Sequence, residues 1–184
     1  MAIKTFTAGE VLTASDTNTY LNNGGLVYIK QQTIGNAVAT QAVTSAFSAD
    51  YDNYRIVVSG GTASALASMR MQLGSANTLY YGIVNYATYG AATTPLSAGD
   101  NNAPLWGYVG YCSPRYLAAS FDLINPFDSN KYTSYVAAGW SAETASGTAS
   151  GLQQQQASYT AFTLSPTTGT FTGGTIFVYG YRKA

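Results

Sequence analysis

Leu66-Ala67-Ser68-Met69-Arg70-Met71-Gln72-Leu73 decides the fold class. Met69, Met71 and Leu73 fall on one side of an extended chain and Ser68, Arg70 and Gln72 on the other, the period of two that marks a strand with one buried face. Asn53 to Ser59 (NYRIVVS) repeats the pattern, with Tyr54, Ile56 and Val58 set against Arg55 and Val57. Tyr116 to Ile124 does so again and points Leu117, Ala119, Phe121 and Leu123 inward. Seven further runs read as strands: Leu26 to Thr33, Ala37 to Phe47, Tyr80 to Tyr89, Leu105 to Cys112, Tyr132 to Trp140, Ser158 to Leu164 and Thr175 to Tyr181. Ten short strands separated by Gly, Asn, Pro and Ser predict an all-β antiparallel sandwich or barrel, with a jelly roll as the expected form.

Three stretches between these runs read as loops: Ala91 to Pro104 (AATTPLSAGDNNAP), Asn125 to Asn130 (NPFDSN) and Glu143 to Ala157 (ETASGTASGLQQQQA). They are expected at the ends of the sandwich, where binding surfaces concentrate. For the glutamine tract the simpler reading is a solvated connection.

Ahead of the strands lies one helical signal. Thr13 is placed to cap a helix whose N3 residue is Asp16, a variant of the capping box that also suits the positive end of the helix dipole. The helix is expected from Ala14 through Tyr20 and Leu21, and Asn22-Asn23-Gly24-Gly25 can supply a left-handed cap. At about nine residues it is too short to be stable alone in water, so a partner surface must hold it. The expected organisation is therefore an anchor segment over residues 1–25 followed by one β-sandwich domain over 26–184. A chain of 184 residues can bury roughly 70% of its unfolded surface without disulfides.

Charge narrows the partners. Eight basic and eight acidic residues, 9% of the chain together, leave a formal net charge of zero. No field steers such a protein onto nucleic acid or an anionic membrane, and neither is expected as a partner. So neutral a surface favours coverage by sister subunits or a larger assembly. Sixteen tyrosines among abundant Ala, Thr, Ser and Gly fit strands joined by small-residue turns. No apolar run of membrane-spanning length occurs, and MAIKTFTAGE lacks the apolar core of a signal peptide, so synthesis in a cytosol is expected.

Enzymatic chemistry has little to work with. The absence of histidine removes the commonest general base and metal ligand, and the single cysteine, Cys112, reads as a small buried hydrophobe. The carboxylate pairs open to glycoside chemistry are Asp50 with Asp52 and Asp122 with Asp128, but the first looks like a turn and Asp122 falls on the outward side of its strand. Lys4, Lys30, Lys131 and Lys183 show no Ser-x-x-Lys spacing. Asp100-Asn101-Asn102 lacks the spacing of a calcium loop. No catalytic residue, metal site or cofactor is expected, and the chain is read as a non-enzyme.

Aromatic side chains offer another use. Trp106, Tyr108, Tyr111, Trp140, Tyr86 and Tyr89 flank the large loops, and exposed Trp or Tyr rings can stack on sugars. Trp106, Tyr108 and Trp140 are the glycan-binding candidates. The competing reading, that alternating aromatics fill the core or a subunit seam, carries more weight.

Phe6-Thr7-Ala8-Gly9-Glu10-Val11-Leu12-Thr13-Ala14-Ser15-Asp16, followed by Asn18 and Tyr20-Leu21, resembles the F-x-x-G-x-x-L-T-A-x-x-x-N-x-Y-L start of many tailed-bacteriophage virion accessory proteins, the head-decoration, head-fibre and short tail-fibre proteins. Thr17 stands where those proteins often carry an apolar residue. Phe47 to Ile56 and the aromatic-Gly ending Phe171 to Tyr181 are similar to strands in their jelly-roll domains. The resemblance covers the first thirty residues or so, ten in the middle and the last dozen. It implies a homotrimeric virion protein, made in the host cytoplasm, whose anchor residues Phe6, Leu12, Asp16, Tyr20 and Leu21 dock on other capsid or tail proteins while the sandwich projects outward. The function expected first is a capsid decoration or head-fibre protein; the alternative is a tail-fibre receptor-binding protein that recognises host surface glycan.

Overall fold

Alternating side chains need a second layer to cover their apolar side, and the chain supplies one from its own strands. The computed structural model describes residues 7–11, 13, 25–90 and 95–183. In chain order the strands are β1 (Leu26–Thr33), β2 (Gln41–Val43), β3 (Asn53–Ser59), β4 (Thr62–Ala63), β5 (Ala67–Leu73), β6 (Tyr80–Thr88), β7 (Leu96–Ala103), β8 (Trp106–Cys112), β9 (Leu117–Ile124), β10 (Thr133–Ser141), β11 (Ala145–Gln153), β12 (Phe162–Pro166), β13 (Phe171–Thr172) and β14 (Thr175–Tyr181). All pairings are antiparallel. No helix occurs among the described residues. The expected helix, and with it Phe6, Leu12, Asp16, Tyr20 and Leu21, lies outside them.

A large sheet runs β1-β14-β3-β9-β10-β11-β6-β7 and a smaller one β2-β12-β5-β8, with β8 also pairing to the start of β9. The core fills the space between them. From the large sheet come Tyr54, Ile56 and Val58 of β3, Phe121 and Leu123 of β9, and Ile176 and Val178 of β14; from the small sheet come Met69, Met71 and Leu73 of β5 with Phe162 and Leu164 of β12, all buried. Phe47 bridges the layers, its ring centroid 4.8 Å from that of Tyr54 and 5.6 Å from that of Phe162. The faces read from the Leu66–Leu73, Asn53–Ser59 and Tyr116–Ile124 stretches are the ones the sandwich buries.

Two of the three expected loops are strands. Leu96–Ala103 is β7, paired to β6, and Ala145–Gln153 is β11, inserted between β6 and β10. Both are poor in β-branched and aromatic residues, so their extended form comes from hydrogen bonding to neighbours and not from propensity. The glutamine tract is likewise not a plain solvated connection at its start. Gln153 is buried; its Nε2 donates to the Thr78 carbonyl (3.3 Å), and its Oε1 accepts from the Gln155 N–H (2.9 Å) and the Tyr159 hydroxyl (3.0 Å). Only Gln41–Val43 of the expected Ala37–Phe47 strand is regular, and the expected Ser158–Leu164 strand begins at Phe162. Asn125 to Asn130 is a turn, with Asp128 and Lys131 donating main-chain N–H groups to the Asn125 and Asp128 carbonyls.

Trp106 locks the two sheets together. It is fully buried, with the Tyr80 ring 5.1 Å and the Tyr135 ring 4.9 Å away, and its Nε1–H donates to the Tyr81 carbonyl (3.1 Å). Gly151 makes room for it, since a Cβ there would come within 2.6 Å of Trp106 Nε1 and of the Tyr135 ring. Trp106→Ala is expected to cost about 3–5 kcal/mol and Gly151→Ala about 1–3 kcal/mol in urea unfolding. Near-wild-type midpoints for both would show that this seam does not hold the sheets.

Candidate functional site

Strand β10 begins as a regular alternating strand, with Thr133, Tyr135 and Ala137 buried. Continued alternation would point Trp140 outward. The register with β11 shifts between Ala137 and Trp140, and this bulge returns the indole to the inner side, 6% exposed. There it meets Tyr86 of β6 (5.3 Å, tilted) and Tyr111 of β8 (5.6 Å, edge-on). Gly147 of β11, opposite both Trp140 and Tyr86, lets the strands close, because a Cβ there would run into the Asn85 carbonyl.

Trp140, Tyr86 and Tyr111 line a recess of about 300 Å³ with Tyr108, Val84 and Ser68. No Asp, Glu, Lys or Arg lines it. Burial, then the nearby Asp100 and Tyr86, raises the Tyr108 hydroxyl above the usual tyrosine range; burial and then Glu143 do the same for Tyr111. Neither phenol ionises near neutral pH. The Trp140 Nε1–H is enclosed and has no acceptor. Glu143 pairs with Arg115.

The glycan candidates therefore separate. Trp106 is a sealed core residue and cannot stack on anything from solution, so its candidacy is withdrawn. Trp140 and Tyr108 share the recess, and Tyr86 and Tyr111 join them. The signal that could separate the two tryptophans is a bulge, which strict alternation in the sequence does not reveal.

The carboxylates have structural partners. Asp122 faces Arg55 at 3.5 Å and accepts from the Tyr181 hydroxyl at 2.6 Å. Asp50 accepts from Ser48 Oγ (2.9 Å), and Asp52 pairs with Lys183 (2.8 Å). Asp128 pairs with Lys131 (3.0 Å); the Asn130 N–H, followed by Lys131, holds its carboxyl below the usual range. Asp52 and Asp128 line one cavity of about 200 Å³ together with Lys183. A larger hollow of about 570 Å³ lies between the loops 74–79 and 155–160. The Cys112 thiol donates to the Ala67 carbonyl (3.1 Å), and burial pushes its pKa up to about 12. Among the described residues no group of three or more His, Cys, Asp or Glu side chains could hold a metal ion.

No protein-family profile matches the sequence, and no curated protein does. Two solved structures show a slight likeness. The structure of infectious bursal disease virus, Gx strain, is 13% identical with a TM-score of 0.14, over 83% of this chain and 42% of that one. The infectious bursal disease virus VP2 subviral particle is 5% identical with a TM-score of 0.13, over 83% and 41%. The chain thus spans less than half the length of either, and at these scores neither carries an argument.

Asp100, on β7 beside the recess, accepts from the Gly107 N–H at 2.7 Å, yet burial outweighs that bond and raises its pKa. A carboxyl raised in the folded state favours folding when protonated, and that contribution disappears as pH rises through its folded pKa. Relative to Asp100→Asn, the wild-type melting temperature should fall as pH increases from the acid side of the carboxylate range towards neutrality. A difference independent of pH would show that Asp100 is not desolvated.

Proposed function

We propose that the chain is a non-enzymatic structural protein of a tailed-phage particle, a capsid decoration or head-fibre protein that docks through residues 1–25 and assembles through a sandwich of jelly-roll type as a homotrimer. The observation that carries this reading is the outer face of the large sheet. One row of paired residues crosses all eight strands: Tyr28, Tyr179, Arg55, Asp122, Val136, Ser150, Ile83 and Gly99. Tyr28 is 54%, Val136 47% and Ile83 45% exposed. Arg55 and Asp122 neutralise each other within the row, and Tyr181 caps the pair.

Covering this face strands no charge within the row itself, since Arg55 and Asp122 pair. Between β6, β10 and β11 it also has a shallow depression of about 490 Å³ with Gly82 and Gly151 in its lining, room for a side chain from a neighbouring molecule. The sequence adds a formal net charge of zero and the phage-like opening. Exposed apolar surface with so little charge is the expected mark of an interface.

Light scattering on size-exclusion peaks should give three times the mass of the chain. Val136→Lys combined with Ile83→Lys should give the monomer mass and leave circular dichroism unchanged. A wild type that is monomeric at ~100 µM, where contacts of even micromolar affinity are occupied, would rule out assembly through this face.

A further inference from the structure

An open sheet has two edges, and each exposed edge is a template for a strand of another chain. The large sheet ends at β1 and β7; the small one ends at β2 and at β8, which pairs with β9 only at Tyr111 and Cys112. Charged residues make up 9% of the chain, so few side chains are available to keep copies apart. β1 opens with Leu26-Val27-Tyr28-Ile29, a run of high β-propensity, and β7 (LSAGDNNA) holds no Lys, Arg or Pro. We propose that Lys30 and Asp100 are edge guards, which close the large sheet to strand addition by a second copy and so confine self-association to its outer face. Where the copies then meet rests on the assembly proposed above; the closing of the edges does not.

The two edges are built alike. In β1 the register with β14 shifts between Tyr28 and Lys30, so Ile29 is the extra residue and Lys30 follows it directly. In β7 the register with β6 shifts at Asn101-Asn102, directly after Asp100, and Asn102 takes a left-handed φ of 50°. Each charge then reaches across the open side of the sandwich to the other sheet. Lys30 Nζ donates to the Thr44 carbonyl just past β2, and Asp100 accepts from the Gly107 N–H of β8 at 2.7 Å. Among the described residues neither has an ion-pair partner. A strand added at either edge would have to cover an uncompensated charge or pull it from its bond. The bulge beside each charge twists the edge away from the flat geometry that a new strand needs. β2, at three residues, is too short to be a good template. Burial raises the pKa of Asp100 despite its bond to Gly107, so its ionisation near neutral pH weakens the fold. A carboxylate held there against that cost suits a role outside the stability of the single chain.

Lys30→Gln with Asp100→Asn removes both charges, leaves the net charge unchanged and keeps groups able to make both hydrogen bonds. The pair is made in the full chain on the background of Val136→Lys and Ile83→Lys, which blocks the outer face, so edge association is read separately from face association. Sedimentation velocity at ~100 µM should show species at least about twice the mass of that face-blocked parent. Hydrogen exchange in those species should protect amides of β1 and β7 beyond the parent. The melting temperature should stay within about 4 °C of the parent's, which keeps unfolding from being the cause. Lys131→Gln with Asp128→Asn neutralises an ion pair in the turn between the central strands β9 and β10, away from every edge, and should leave the parent's mass unchanged. The proposal is overturned if the edge variant keeps the parent's mass, if the turn variant associates as much, if the larger species show no protection at either edge, or if the melting temperature drops further than stated. Asp100→Asn alone is the second variant should the combination not fold; it should associate with added protection at β7, and the same results would overturn it. A parent that is itself oligomeric contradicts the face assembly, and the edge comparison is still read from the added mass and the edge amides.

Discussion

The sandwich depends on polar tips that cross between its layers. Trp106 belongs to the small sheet and gives its N–H to the Tyr81 carbonyl of the large one. Tyr80 and Tyr135 belong to the large sheet and reach back: the Tyr80 hydroxyl accepts from the Leu73 N–H (2.8 Å), and the Tyr135 hydroxyl donates to the Tyr108 carbonyl. Each ring buries a large apolar area in a position that only one sheet alignment allows, since a displaced sheet would leave these donors and acceptors unpaired in the interior. Hydrophobic burial brings the layers together, and these three bonds set how they sit.

Both surface features of interest follow from that seam. With Trp106 occupying the space beneath β6, β10 and β11, the remaining aromatics of β8 and β10 collect in the recess beside it, where Trp140 touches Tyr86 and Tyr111. On the opposite side of the same strands, the positions that alternate with core residues carry Ile83 and Val136 to the surface. One face of these strands thus borders a small open recess and the other forms a broad surface, and the two suit different partners. A pocket lined by rings selects a single small group, whereas a flat row of exposed aliphatic and aromatic side chains suits another protein.

Much of this was legible in the sequence where side-chain type and alternation agree. β3, β5 and β9 carry large apolar residues at every second position, so their buried faces could be read directly, whereas in β14 the outward Phe177, Tyr179 and Tyr181 are as large as the buried Ile176 and Val178, and only its extent was legible. β7 and β11 could not, because Ser, Ala, Gly and Asn carry no such alternation and these segments are extended only through pairing with β6 and β10. The aromatic candidates were legible as a set but not one by one. Trp106 and Trp140 look alike in their flanks, and the difference between a sealed ring and a recess wall comes from a bulge and from glycines opposite the rings. The carboxylates placed in turns and on an outward strand face are there, each with a bonded partner.

Residence in a phage particle is the central functional claim, and the copy number of the chain in purified particles, measured by quantitative mass spectrometry against the major capsid protein, tests it most directly. The account predicts a count on the scale of the capsid protein. Complete absence from the particles would contradict it.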